Sequence, residues 1–293
     1  MLSSLVRLLK RSRTRRDADQ EYPCGPCSIV LPADHKLPEY QRRHPRYDRF
    51  LPHLARFVPD DSTVIDVGAN CGDTVAAMAG ANPRPHYLCI EPDPAFFGYL
   101  ERNLKRLEAA RPGLRVKVER ALVGRQVQHA SLEGHSGTRH AREASAGHAS
   151  TTLDRIVEGS GLPPPWLLKS DVDGFDYDVI DSAEGIIARH QPALFFECQP
   201  LSADQMAGFA ATVARLASAG YTRWAAFDNY GELMLRQVEP AQIEQLMAYV
   251  RRQDEGLATR TFYYCDILAG TDRDSATLES ALDSYGRAAP SRE

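Results

Sequence analysis

The run Val64-Ile-Asp-Val-Gly-Ala-Asn-Cys-Gly-Asp-Thr74 constrains this chain more than any other segment. Its apolar, β-branched start predicts a strand over Thr63–Val67. Gly68 then turns the chain, and a helix is expected to open near Gly72. Glycine suits a site where the backbone bends sharply or a ligand presses against it. In an open α/β sheet such a turn lies at the carboxyl end of a strand, where ligands bind.

The rest of the chain repeats the alternation. Further strand candidates are His86–Glu91, Arg115–Leu122, Trp166–Asp171, Ala193–Glu197, Trp224–Asp228 and Phe262–Leu268. Helical candidates between them are Asp73–Ala79, Pro94–Glu108, Leu153–Glu158, Asp176–Arg189, Ala203–Ala219 and Pro240–Gln253. Strand alternating with helix predicts an α/β fold: a doubly wound, mostly parallel, Rossmann-like sheet of seven strands. Ser202 and Gln205 have the spacing of a capping box. Residues 126–150 break the rhythm with four histidines (His129, His135, His140 and His148) among Gly and Ser, and read as a hairpin or mobile loop. Residues 1–56 are expected to form a basic tail and a wrapping extension, with a strand near Cys27–Leu31 and a helix near Tyr47–Phe57. Residues 57–270 are expected to form the domain, and 271–293 a polar tail.

Composition narrows the function classes. With 43% hydrophobic and 25% charged residues, the chain is of ordinary globular character. It carries no apolar run of transmembrane length. Six of its 35 basic residues fall within residues 1–16, which hold no acid. The remaining 29 face 39 acidic residues, so the net −4 becomes −10 over residues 17–293. An acidic body argues against nucleic acid as a partner. The segment MLSSLVRLLKRSRTRR reads as a solvated basic tail, with a helix on an anionic membrane surface as the alternative. Six cysteines are too sparse for a disulfide scaffold, which favours a cytoplasmic setting, with the inner face of the membrane as the tail's alternative. Cys24-Gly-Pro-Cys27 spells a redox tetrapeptide but lacks the following helix that motif needs.

The second strand ends in Glu91, a carboxylate able to accept both hydroxyls of a ribose. A dinucleotide fingerprint would need glycine at 68, 70 and 73, but the chain has Gly68, Asn70 and Asp73. An acid at a helix N-terminus repels phosphate. The pattern Asp-x-Gly-x-Asn-x-Gly suits a cationic nucleoside ligand without phosphate, S-adenosylmethionine. A nicotinamide-dependent oxidoreductase and a noncatalytic binding module are the competing classes.

Here the sequence resembles a known family. Val64–Thr74, Cys89-Ile-Glu-Pro-Asp-Pro94, Asn103-Leu104, Thr152-Leu-Asp-Arg155, Leu168-Lys-Ser-Asp-Val-Asp-Gly-Phe-Asp-Tyr-Asp178 and Leu194-Phe-Phe-Glu197 resemble the FkbM-type S-adenosylmethionine methyltransferases. The resemblance implies a class I methyltransferase sheet with a reversed seventh strand. It implies methyl transfer to oxygen, on a sugar hydroxyl of a glycan or glycolipid, or on a natural product. It also implies that Asp66, Gly68, Asn70, Gly72, Thr74 and Glu91 hold the cofactor.

The segment Lys169-Ser-Asp-Val-Asp-Gly-Phe-Asp176 supplies the candidate chemistry. Methyl transfer requires the acceptor oxygen to be aligned and its proton removed. Asp171, at a strand end, is the first candidate for base or orienter. Asp173 is the second, and Lys169 is expected to pair with one of them or hold the substrate. Family members usually carry Glu where this chain has Asp173 and Asp176, which shortens their reach. Asp173 and Asp176 would alternatively serve as N-cap and N3 residues of the next helix. Clustered carboxylates would alternatively bind Mg²⁺, although no metal-ligand set is assigned. Glu197 ends the fifth strand near the same rim.

Overall fold

The computed structural model describes residues 18–125, 129–133, 140–143, 148–256 and 260–288. The basic segment 1–16 and His135 lie outside the described residues.

The extension opens with an antiparallel hairpin, β1 (Gln20–Cys24) and β2 (Cys27–Leu31), in which Cys24 lies opposite Cys27. Two short helices follow, α1 (Leu37–Arg43) and α2 (Phe50–Ala55). The body then runs β3 (Thr63–Val67), α3 (Asp73–Ala81), β4 (His86–Ile90), α4 (Pro94–Ala110) and β5 (Arg115–Glu119). Next come four short strands: β6 (Leu122–Val123), β7 (His129–Glu133), β8 (His140–Glu143) and β9 (His148–Thr151). The chain resumes with α5 (Leu153–Ser160), β10 (Pro165–Ser170), α6 (Asp176–Asp181), α7 (Glu184–His190) and β11 (Ala193–Cys198). It ends with α8 (Ala203–Ser218), β12 (Tyr221–Asp228), β13 (Leu233–Leu235), α9 (Pro240–Gly256), β14 (Cys265–Thr271) and α10 (Ser275–Arg287).

The main sheet has the order β13-β12-β14-β11-β10-β3-β4-β5. Strands β5, β4, β3, β10 and β11 are parallel, and β14 inserts antiparallel between β11 and β12. Every residue of β3, β10 and β11 is buried, as expected of central strands covered on both faces. One face packs against the extension, α3, α4 and α10, through residues such as Leu31, Phe50, Leu100 and Tyr285. The other packs against α6 to α9, through Ile180, Ile187, Phe209 and Met247. Among the described residues, no helix is long and apolar enough to cross a membrane.

Four expectations are corrected. The sheet has eight strands rather than seven, because the three residues of β13 return as a hairpin on β12. The polar tail expected over 271–293 is, over Ser275–Arg287, a core helix: α10 buries Leu278, Ala281, Leu282 and Tyr285. The helix expected over 176–189 is two helices. Ser182 accepts the Leu153 N–H at the break, and the Asp154 carboxylate caps α7 through the N–H groups of Gly185 and Ile186. In the extension, α1 was not foreseen, and the helix expected over Tyr47–Phe57 shortens to α2.

Within 126–150, β7 and β8 pair as a hairpin. Cys24 sits in the β1–β2 hairpin, where its thiol donates to the Asp73 carbonyl at 3.3 Å and burial pushes its pKa up to about 12. That is the opposite of an activated redox thiol. At the start of α8, Ser202 accepts the Gln205 N–H, whereas the Gln205 side chain accepts from Leu201 rather than closing the box on Ser202.

Candidate active site

The turn after β3 depends on backbone that only glycine adopts freely. Gly68 has φ +76°, and a Cβ there would collide with the Asp171 carbonyl oxygen. The turn therefore packs directly on the loop that follows β10. Asn103 of α4 secures it from the other side: its amide donates to the Cys71 and Val30 carbonyls at 2.8 and 2.9 Å and accepts the Val30 N–H at 2.7 Å. One side chain thus joins the Gly turn to the extension strand β2.

Glu91 follows β4 and is buried. Its carboxylate accepts the N–H groups of Asn70 and Asp93, at 2.9 and 2.8 Å, one on each oxygen. Each oxygen keeps a further lone pair. Burial pushes its pKa up to about 7, against the pull of the two N–H groups.

Lys169 lies at the seam of β3 and β10 and is buried. Its ammonium stands 2.9 Å from Asp66 and 3.9 Å from Asp171, and donates to the Val67 and Gly68 carbonyls at 3.3 and 3.0 Å. Burial works against its charge, yet Asp66, Asp171 and Asp73 hold its pKa above the ordinary lysine value. It therefore pairs mainly with Asp66, donates into the β3 turn, and has Asp171 as its more distant partner. The Asp171 side chain is about half exposed, opening onto the cavity. Its enclosed setting raises its pKa to about 6, with Lys169 pulling down and Asp173, Asp66 and Asp73 pushing up.

Asp173 has φ +54° and is followed by Gly174 at φ +93°, so the loop after β10 doubles back. Phe175, not Asp173, takes the N-cap position of α6, and Asp176 is its first residue rather than N3. The Asp176 carboxylate turns inward, accepting the Ser170 hydroxyl at 2.6 Å and the Val172 N–H at 3.2 Å. It fixes the loop that carries Asp171. Burial raises its pKa to about 7. Glu197 is buried and raised well above the usual carboxylate range by burial and by Asp171 and Asp173. Asp266 of β14 stands directly opposite it.

A cavity of about 470 Å³ opens at the carboxyl ends of these strands. Gly68, Asn70, Thr74, Glu91, Lys169, Asp171, Asp173 and Glu197 all line it. Asp66 and Gly72 do not: Asp66 lies beneath, against Lys169, and Gly72 starts α3 against Leu100. The sequence reading missed the opposite wall. His44, Tyr47 and Asp48 of the extension line it, with Asn229, Tyr230 and Tyr264. The His44 ring stacks on Tyr230 with centroids 3.7 Å apart. The aromatic and basic character of residues 17–56 was the available signal. Among the described residues, no group of three or more His, Cys, Asp or Glu is arranged to hold a metal ion.

The sheet order, the reversed β14, the Gly turn after β3 and the acid after β4 form the sheet expected of a class I methyltransferase. Residues 66–223, over half the chain, match the family model described as the methyltransferase FkbM domain, and the chain belongs to that family. That membership sets aside the nicotinamide reading. A search of curated proteins returns no match. Among solved structures, the chain is similar to the methyltransferase FkbM of Methylobacillus flagellatus KT, at 16% identity over 71% of this chain and 44% of that one, TM-score 0.39. A putative O-methyltransferase from Klebsiella pneumoniae is 13% identical, with 76% and 79% covered and TM-score 0.44. Precorrin-6y C5,15-methyltransferase from Geobacter metallireducens GS-15 is 12% identical, with 75% and 86% covered and TM-score 0.40.

Proposed function

We propose that the protein transfers a methyl group from S-adenosylmethionine to a hydroxyl oxygen, on a sugar of a glycan, glycolipid or glycosylated natural product. The observation that carries the reading is the Asp171 carboxylate, open to the cavity beside the Gly68 turn and 3.9 Å from the Lys169 ammonium. The bound cofactor supplies a methyl made electrophilic by its sulfonium. Glu91 has the free lone pairs to receive ribose hydroxyls, and Gly68 lets the β3 turn pack directly on the Asp171 loop. Asp171 takes the proton of the acceptor hydroxyl, and Lys169 and Asp176 keep its loop in place. The acidic lining favours a neutral, hydroxyl-rich acceptor over a polyanion.

The reading extends to setting: a cytoplasmic enzyme whose basic residues 1–16 attract it to an anionic membrane face, where glycolipid acceptors lie. Mass spectrometry of glycans from cells with and without the gene tests the function. Loss of a 14-dalton increment on a sugar residue is the expected result, and an identical methylation pattern would overturn the glycan assignment.

A further inference from the structure

The cavity has two sides of different origin. Gly68, Asn70, Glu91 and Phe96 form the side that a class I cofactor takes. The turn between α1 and α2 forms part of the other, bringing Tyr47 and Asp48 to the cavity. Asp48 has the left-handed φ of +56°, which costs energy for a non-glycine residue. Its carboxylate is exposed to the cavity and accepts no hydrogen bond among the described residues. Its electrostatic neighbours include the acids Asp73 and Asp171, besides Lys169 and Arg49.

The turn is held from behind before any ligand arrives. Arg46 donates to the carbonyls of Tyr285 and Ala288, at 2.8 and 2.6 Å, and pairs with Glu232 at 3.3 Å. The Tyr285 hydroxyl donates to the carbonyls of Arg46 and Gly231, at 3.3 and 2.8 Å. Gly231 approaches so closely that a Cβ there would strike the Arg46 carbonyl. Gln41 adds a donor to the Tyr47 carbonyl at 3.2 Å. A strained residue kept in place by so many contacts, with its carboxylate left unpartnered toward a cavity, fits a preorganised binding group.

We infer that the extension forms the acceptor wall and that Asp48 accepts a hydrogen bond from a hydroxyl of the acceptor, with Arg46 as a positioning residue behind it. The inference rests on the methyl-transfer reading of the site, but not on the acceptor being a sugar. A hydroxyl-bearing ligand supplies the donor that the protein withholds from Asp48.

Asp48→Asn tests it, because asparagine tolerates the left-handed backbone, removes the charge and turns one of the two acceptor oxygens into a donor. Wild type and variant are given labelled S-adenosylmethionine and an extract of cells lacking the gene. Label is then counted in glycan, lipid, protein and nucleic-acid pools at several extract concentrations. The variant is expected to label about tenfold less at limiting extract and to recover at high extract. Its affinity for S-adenosylhomocysteine, measured by calorimetry, should stay within about twofold of wild type, and Arg46→Gln should show a smaller loss of the same form. Equal labelling by Asp48→Asn and wild type at limiting extract overturns the inference while leaving the glycan reading in place. A deficit in a pool other than glycan retires the glycan reading and keeps Asp48. No label from wild type in any pool overturns both.

Discussion

Lys169 sets its ammonium 2.9 Å from the Asp66 carboxylate, both of them buried, and donates also to the Gly68 carbonyl at 3.0 Å. One ion pair thereby fastens β10 to β3 and to the turn that shapes the cofactor side. Removing one partner of a buried pair strands the other charge. Lys169→Met should lower stability by about 3–5 kcal/mol in urea unfolding. A loss under about 1 kcal/mol would mean that water reaches Asp66 and that the pair is not structural.

Asp171→Asn should reduce turnover about 10²–10⁴-fold, the range for loss of a general base. S-adenosylhomocysteine affinity should change little, since Asp171 acts on the acceptor. Full turnover in the variant would remove Asp171 as the base.

Glu91 must be ionised to receive hydroxyls on both oxygens, and its pKa lies at about 7. Cofactor affinity should therefore rise between pH 6 and 8. Glu91→Gln should weaken binding about tenfold or more at pH 8 and flatten the pH dependence. Calorimetry at three pH values checks both, and a sloping profile in the variant would assign the titration to another group.

Glu91, Asp176 and Asp171 are held at about 7, 7 and 6, and Glu197 well above the usual carboxylate range. In the unfolded chain all four titrate near 4. Between those limits the folded protein binds more protons than the unfolded one, so its stability falls as pH rises. His53 and His86 are lowered, by burial first, and act in the opposite sense around pH 6.5. The carboxyls outnumber them, so the ligand-free melting temperature should be higher at pH 5 than at pH 8.5. A melting curve that climbs steadily over that range would contradict the carboxyl shifts.

The strand–turn–helix at residues 63–81 was legible because period, glycine placement and the terminal acid agree on one unit. The same agreement located Glu91 and Asp171. Asp66 was legible as important but not as a support beneath the cavity, because side-chain depth at a strand end depends on the neighbour across the sheet, here Lys169. Helix α10 was misread although Leu278, Ala281, Leu282 and Tyr285 keep helical spacing, since the intervening Ser, Asp and Glu dominate its composition. The role of Asp48 was not legible. Its backbone is fixed by contacts such as Arg46 to Tyr285, 239 positions apart, which no local pattern encodes.

That long contact has a consequence for synthesis. Tyr47 and Asp48 fall within the first fifty residues of the sequence, but their fastening through Arg46 depends on Tyr285, 239 positions further on. Strand β14, which separates β11 from β12, also emerges late. A nascent chain can thus fold the Gly turn and its neighbouring strands well before Tyr285 arrives. The contacts that hold Glu91 involve no residue of α10, so the placing of Asp48 waits on α10 where that of Glu91 does not.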